Sequence, residues 1–448
     1  MAGIAGVFNP TKSELAEKMI HKIGHRGWAW TELVENEVSV VAMNGIKIQE
    51  NALGDLKNYH LAKDGCEPGR FAEAQLTAKD LVLKRDPLGA APLYYGWTKD
   101  GDLCFSSEIK ALILATTEIF ELPPGCSLKN QKIESYFYLK PQDPLDESPE
   151  EIALELRKRL EASVEKSIGN GNVGSWLSGG IDSSILAALA RKQVKHLQTF
   201  AAGLEGAPDL MYARQMAEFI KSEHHEVVVK PVEIITILPE VIYYLESFDA
   251  LLVRSSILNF LAARYASHFV PAVFSGEGAD ELFGGYSYLK DIPGKKLADE
   301  LVDIIGRLHN TALQRVDRCA SAHGTLPHIG FLDPDVVDLA LRIPAKYKIH
   351  DGVEKWILRK AAQDLLPEAV LNRPKAKFWQ GGGFNGFLAD YANSQVSDQQ
   401  FNEERNLKNG WQLNSKEEVL YYRIFAQHFG QIENLNWMGR TKGSPKTT

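Results

Sequence analysis

Residues 173–189 read VGSWLSGGIDSSILAAL: a short apolar run, a turn built on Gly179 and Gly180, and an apolar stretch with helical spacing. A glycine-rich turn between a strand and a helix lets the backbone approach an anion closely, while the free N–H groups of the helix start point at it. Ser178 and Ser183 can donate further hydrogen bonds, so the segment predicts a pyrophosphate grip made of Ser178, Gly179, Gly180, Asp182, Ser183 and Ser184. The plain alternative is a tight turn capped by serines. The loop lacks the lysine of a GxxxxGK[ST] motif, which excludes Walker-type kinases and GTPases. Asp182 would sit beside the anion, an arrangement that makes sense mainly if a Mg²⁺ bridges the two.

Outward from this point the sequence alternates. TFAAGL (199–204), LMYARQMAEFIK (210–221) and EVVV (226–229) read as strand, helix and strand, and such alternation predicts parallel strands joined by crossover helices. Upstream, Ser148 followed by Pro149 and Glu151 reads as a capping box, and Ile152, Leu156, Leu160, Val164 and Ile168 form one apolar stripe. Before it, KPQDPLDE (140–147) has the polar, proline-containing composition of a boundary. From Met1 to Leu139, short apolar runs separated by Gly, Pro and Asn (GIAGVF, VSVVAM, DLVLKR, APLYYGW, LCFSS) predict an antiparallel layer. From Glu240 onward the pattern is mostly helical, and the tail from Arg440 to Thr448 reads as frayed.

Composition narrows the class. The chain has 448 residues, 44% apolar and 24% charged, with a net charge of −8, which fits a globular protein and offers no broad basic field for nucleic acid. Four scattered cysteines suggest a reducing compartment, and with no signal sequence or apolar span long enough for a membrane the expectation is a cytoplasmic protein.

Two more segments carry chemistry. Ser275 to Glu281 (SGEGADE), followed by FGGY (283–286), places Glu277, Asp280 and Glu281 on a glycine-flexible turn after the apolar run VPAVF. Carboxylates so crowded repel each other unless they share a cation or a proton, which predicts a metal ligand and a general base near Gly276 at the carboxyl end of a strand. A solvated acidic loop is the alternative. RPKAKF (373–378) supplies a lysine, Lys375, that could neutralise charge in an acyl-adenylate transition state; alone, such a run is usually solvated surface. His224 and His225 lack a third ligand at metal-binding spacing and are read as structural.

Over nearly its whole length the chain resembles the glutamine-hydrolysing asparagine synthetases and their β-lactam and carbapenam synthetase relatives. The resemblance is carried by SGGIDSS, SGEGADELFGGY, PDLMYARQMA with HHE, the FLD at Phe331–Asp333 and EKWILRKAAQDLLPEAVLNRPKAKF, and in the first part by HRG (25–27), RDPLGAAPLYYG and SSEIKAL. It implies an α+β amidohydrolase-like αββα sandwich over 1–140 and an α/β ATP-pyrophosphatase domain over 148–440, with a parallel sheet, a helical C-terminal part and a flexible tail at 441–448. It further implies ATP and Mg²⁺ as cofactors, Mg²⁺ on Asp182 and Asp280, Glu277 as active-site acid–base, and Lys375 as transition-state cation. Tyr286 would stand in the same pocket wall, with Gly276 among the nucleotide-binding positions.

Two departures stand out against that family. Its glutaminase nucleophile is an N-terminal cysteine exposed by removal of Met1; here the position is Ala2, and no cysteine precedes Cys66. HRG continues as Trp28-Ala29-Trp30 rather than Pro-Asp, and the stretch for the glutamine-anchoring acid is short, so a degenerate first domain is expected. In the acceptor pocket Arg254 is kept, but Leu251 and Leu252 replace threonines, while Leu326 and His328 replace an acid and an arginine. Leucines remove partners for a charged α-amino acid, making aspartate an unfavourable substrate unless a neighbour substitutes. Three readings stay open: an amide synthetase using ammonia, free or from a separate glutaminase; a lactam- or peptide-bond former using an amine; and a non-catalytic nucleotide- or partner-binding paralogue. The expected partners are a small-molecule carboxylate and an amine or ammonia, with no membrane; a homodimer is compatible with the sequence.

Overall fold

The computed structural model describes residues 2–27, 29–35, 39–45, 59–67, 69–77, 80–169, 171–375, 381–384 and 386–441. In the first part, the strand Ala2–Val7 lies inside a six-stranded sheet between Val40–Gly45 and Leu103–Ser106. A five-stranded antiparallel sheet, containing Arg70–Thr77 and Leu81–Arg85, faces it. Ile4, Val41 and Phe105 from one sheet share a core with Ala74, Leu83 and Leu128 from the other. Helix Ser13–Lys22 packs Met19 and Ile20 against Ala5 and Val7 on the outer face of the first sheet. Among the described residues the layers of this part are therefore helix, sheet, sheet.

Each apolar run of the sequence overlaps a strand among the described residues, and the strands they missed have a physical reason. Arg70–Thr77 buries Ala72, Ala74 and Leu76 in alternation, but alanines give a weak apolar signal; Lys132–Ser135 is an edge strand with little buried surface. KNYHLAKDGCEPG, read as a shortened stretch, contains the strand Tyr59–Glu67. Trp28, the turn at 51–56 and residues 376–378 lie outside the described residues.

The second part begins at helix Pro149–Ile168, whose capping box joins the Ser148 and Glu151 side chains to each other's backbone N–H. Five parallel strands follow, in the spatial order Glu223–Val229, Gln198–Leu204, Gly174–Trp176, Ala272–Phe274, Leu326–His328. The sheet grows first to one side of Gly174–Trp176 and then to the other. Gly174–Trp176 and Ala272–Phe274 thus flank the point where strand order reverses, and open α/β sheets bind ligands in the crevice beyond the carboxyl ends of such strands. Both glycine-rich segments leave the sheet at this crevice.

His224 and His225 lie within Glu223–Val229, bonded to Thr199 Oγ1 at 3.0 Å and Gln198 Oε1 at 3.0 Å, which matches their structural reading. The tail needs a correction. Arg440 pairs with Glu418, and Thr441 bonds Asp249 through its N–H at 3.1 Å and its hydroxyl at 2.8 Å, so the chain is anchored through Thr441. Residues 442–448 lie outside the described residues.

The two parts meet over a buried charge cluster. Arg26 Nη1 donates to Glu108 Oε1 at 2.8 Å and to Asp317 Oδ2 at 2.7 Å, and Arg70 Nη2 reaches Asp317 Oδ1 at 2.8 Å. Glu246 accepts from Arg318 at 2.9 Å and from the backbone N–H groups of Ile109 and Lys110, and the Lys110 ammonium lies 2.9 Å from it.

Candidate functional site

Gly180 caps helix Ile181–Gln193 with extended backbone and no side-chain cap, so the first-turn N–H groups remain for an incoming anion. Gly179 has φ +66°, and a Cβ there would lie 2.4 Å from the Tyr212 carbonyl carbon. Ser178 Oγ is 3.1 Å from Ser183 Oγ and accepts from Gly180 N–H at 3.3 Å, which pre-orders the turn. Ser184 is fully buried behind it.

The second glycine-rich segment touches the first. A Cβ on Gly276 would fall 2.8 Å from Ser183 N, so only glycine lets the two loops approach this closely. Asp182 and Asp280 converge on one cation, the ammonium of Lys355: Asp182 Oδ1 and Oδ2 lie at 2.8 and 2.6 Å, Asp280 Oδ1 at 2.6 Å. Lys375 pairs with Asp280 Oδ2. Burial pushes the Asp182 carboxyl up; it acts on Asp280 as well but is outweighed there by Lys355 and Lys375, which hold that carboxyl well below its usual range. Arg373 fixes the segment carrying Lys375, donating to Ser178 O at 2.9 Å, pairing with Asp209 and standing 4.2 Å above the Tyr212 ring.

Beyond the carboxylate pair, Glu277 is paired with Arg315. Tyr286 donates to Glu281 Oε1 at 2.5 Å, and burial, with repulsion from Asp280, pushes Glu281 up to about 7. The structure thus brings together Ser178, Gly179, Gly180, Asp182, Ser183, Gly276, Asp280 and Lys375, with Glu277 and Tyr286 on the same segment.

The residues expected around the acceptor are arranged differently. Leu252 belongs to the core of helix Ala250–Ala266, and Leu251 is half-buried beside it. Arg254 is clamped by both carboxylate oxygens of Glu417, whose Oε1 also accepts from Tyr421 at 2.8 Å. Leu326 pairs with Ala272 at the amino end of its strand, away from the loops; it is the His328 carbonyl that reaches Ser275 N, at 2.9 Å. Sequence reasoning missed Lys355, Arg315 and Glu417. Lys355 lies in the quoted EKWILRK run, but its partner Asp182 is 173 residues away and no local pattern marks the pairing.

An asparagine synthase family model matches residues 155–302 and 293–442, and a glutamine amidotransferase domain model matches residues 67–114. The chain belongs to the asparagine synthase family and is an ATP-dependent, amide-forming ligase. It is 30% identical to a probable glutamine-hydrolysing asparagine synthetase of Dictyostelium discoideum, over 94% of this chain and 86% of that one. It is 32% identical to asparagine synthetase B of Escherichia coli, over 95% of this chain and 85% of that one, and 34% identical to the Zea mays enzyme, over 81% and 67%.

Proposed function

We propose that the chain adenylates a carboxylate other than aspartate and passes the acyl group to ammonia or an amine, without a glutaminase of its own. The observation that carries the first half is the convergence of the Ser178–Ser183 turn, Asp182, Asp280, Lys355 and Lys375 at the strand-order reversal. A substrate carboxylate attacks the α-phosphorus of ATP, the bond to pyrophosphate breaks, and acyl-AMP forms. The amine nitrogen then attacks the acyl carbon, loses a proton to a base, and AMP departs. In this reading the turn binds pyrophosphate, Lys375 neutralises charge as the phosphorus is attacked, and Glu277, on the segment that carries Asp280, takes the proton.

The donor set fits Mg²⁺, which takes oxygen ligands and is usually held by one or two carboxylates with substrate phosphates completing the shell. Asp182 and Asp280 already converge on one cation and would hold it. When bound it would withdraw charge from the phosphate oxygens.

The aspartate exclusion rests on Arg254. Its guanidinium is already held through Nε and Nη2 by a carboxylate of this chain, Glu417, and Leu251 and Leu252 supply no hydroxyl of their own, which disfavours taking up a second carboxylate together with an ammonium. For the glutaminase, position 2 carries only a methyl group, and the thiol of Cys104 on the neighbouring strand is pushed up to about 12 by burial, so it supplies no thiolate. ATP–pyrophosphate exchange with a panel of carboxylates tests the reading: exchange with a β-amino or apolar acid and none with aspartate is expected. Aspartate-driven exchange would overturn the exclusion, and glutamate release from glutamine would overturn the missing glutaminase. Ammonia against amines then separates simple amidation from lactam or peptide formation.

A further inference from the structure

We propose that Lys355 is a resident cation of the carboxylate pair, so that a divalent metal enters this site only together with nucleotide. The inference rests on the adenylation reading and deepens it. Three features hold the ammonium in place. The Lys355 side chain is 1% exposed and its nitrogen lies within 2.8 Å of both carboxylates. Its backbone adopts φ +54°, ψ 30°, left-handed for a residue with a Cβ, and so aims the side chain from the start of helix Trp356–Ala361. A Cβ on Gly285 would fall 1.9 Å from Asp280 Oδ1 and 2.3 Å from Lys355 Cε, so the glycine vacates the space this pairing needs.

Charge counting gives the consequence. Asp182 and Asp280 are balanced by Lys355 and Lys375, so this pair of carboxylates offers no net charge of its own to draw in a free dication. A metal arriving alone must displace Lys355 and strand a buried ammonium without a counter-charge, a strongly unfavourable outcome. A triphosphate changes the balance, because its oxygens give the displaced lysines new partners. Metal and nucleotide must then favour each other's binding by the same factor. Lys355 is a positioning residue in this scheme: it reserves the carboxylates until phosphate is present.

The test is Mn²⁺ binding to the intact chain, read from the loss of the free-ion electron paramagnetic resonance signal after subtraction of the Mn²⁺ that the same concentration of nucleotide analogue chelates without protein. Wild-type protein should bind Mn²⁺ at this site at least tenfold more tightly when an α,β-methylene ATP analogue is present. Lys355→Met should bind Mn²⁺ alone at least tenfold more tightly than wild type, a gain that damage to the fold would not produce; Lys360→Met, on a surface pair with Glu150, serves as control. Equal Mn²⁺ affinity of wild type with and without the analogue overturns the inference, and that measurement needs no variant. Equal affinity of Lys355→Met and wild type for Mn²⁺ alone overturns it too. If the analogue fails to bind with or without metal, the adenylation reading falls and takes this inference with it; if it binds but metal needs no nucleotide, only this inference falls.

Discussion

Two charge clusters among the described residues are similar in composition and opposite in design. Between the two parts of the chain, Arg26, Arg70, Lys110 and Arg318 enclose Glu108, Glu246 and Asp317, all of them buried. At the strand-order reversal, Lys355 and Lys375 meet Asp182 and Asp280 beside a turn whose N–H groups have no side-chain cap. The first cluster is closed on itself: Asp317 is held well below its usual range because Arg26, Arg318 and Arg70 together outweigh its burial. The second adjoins backbone donors and glycine-cleared space. Buried charges alone therefore do not mark a site; what marks it is a set of donors with room for another partner.

The largest effect should come from breaking the closed cluster. Arg26→Met leaves Glu108 and Asp317 short of a cation in a buried interface, and removing one member of a buried pair is destabilising by about 3–5 kcal/mol. Urea unfolding should show this loss, while the exchange rate per folded molecule stays within about twofold. A large change in exchange with unchanged stability would mean that the interface cluster is part of the catalytic apparatus and would erase the distinction.

Lys375→Ala tests the other side. Exchange should fall about 100- to 1,000-fold, the range seen when one preorganised charge-stabilising donor is lost. Lys355 still faces Asp182 and Asp280 in that variant, so unfolding free energy should change by no more than about 1 kcal/mol. Retained exchange would remove Lys375 from the mechanism.

The same contrast explains what could be read in advance. The glycine turn ahead of helix Ile181–Gln193 was legible because its pattern is local: glycines, hydroxyls and a helix start occupy seven consecutive residues from Ser178 to Ser184. The parallel sheet was legible from alternation, and the Ser148 cap from adjacent residues. The interface cluster was not, since Arg26 and Asp317 lie 291 positions apart and each alone looks like ordinary surface charge. Lys355 and Glu417 were hidden for that reason too. Arg254 was singled out, but its pairing with Glu417, 163 residues on, has no local mark in the sequence.

Lys348 supplies a third kind of buried cation, and the smallest effect. It is 3% exposed at the end of helix Ala345–Lys348, and burial alone pushes its ammonium down to about 7. The unfolded chain, with an ordinary lysine, binds the proton up to about pH 10.5, whereas the folded chain releases it near pH 7. Between those values the unfolded state holds more protons, so stability must rise with pH. From pH 7 to pH 9 this amounts to about 2 kcal/mol, and Lys348→Met should remove that increment from the wild-type curve without loss of stability at pH 7. Urea titrations of both proteins at the two pH values give the difference directly. A Met variant that is less stable at pH 7 and keeps the wild-type slope would show that Lys348 is charged and paired like the closed cluster. The expected outcome instead separates burial with no opposite charge among the described residues, which costs stability at neutral pH, from the two clusters in which opposite charges offset that cost.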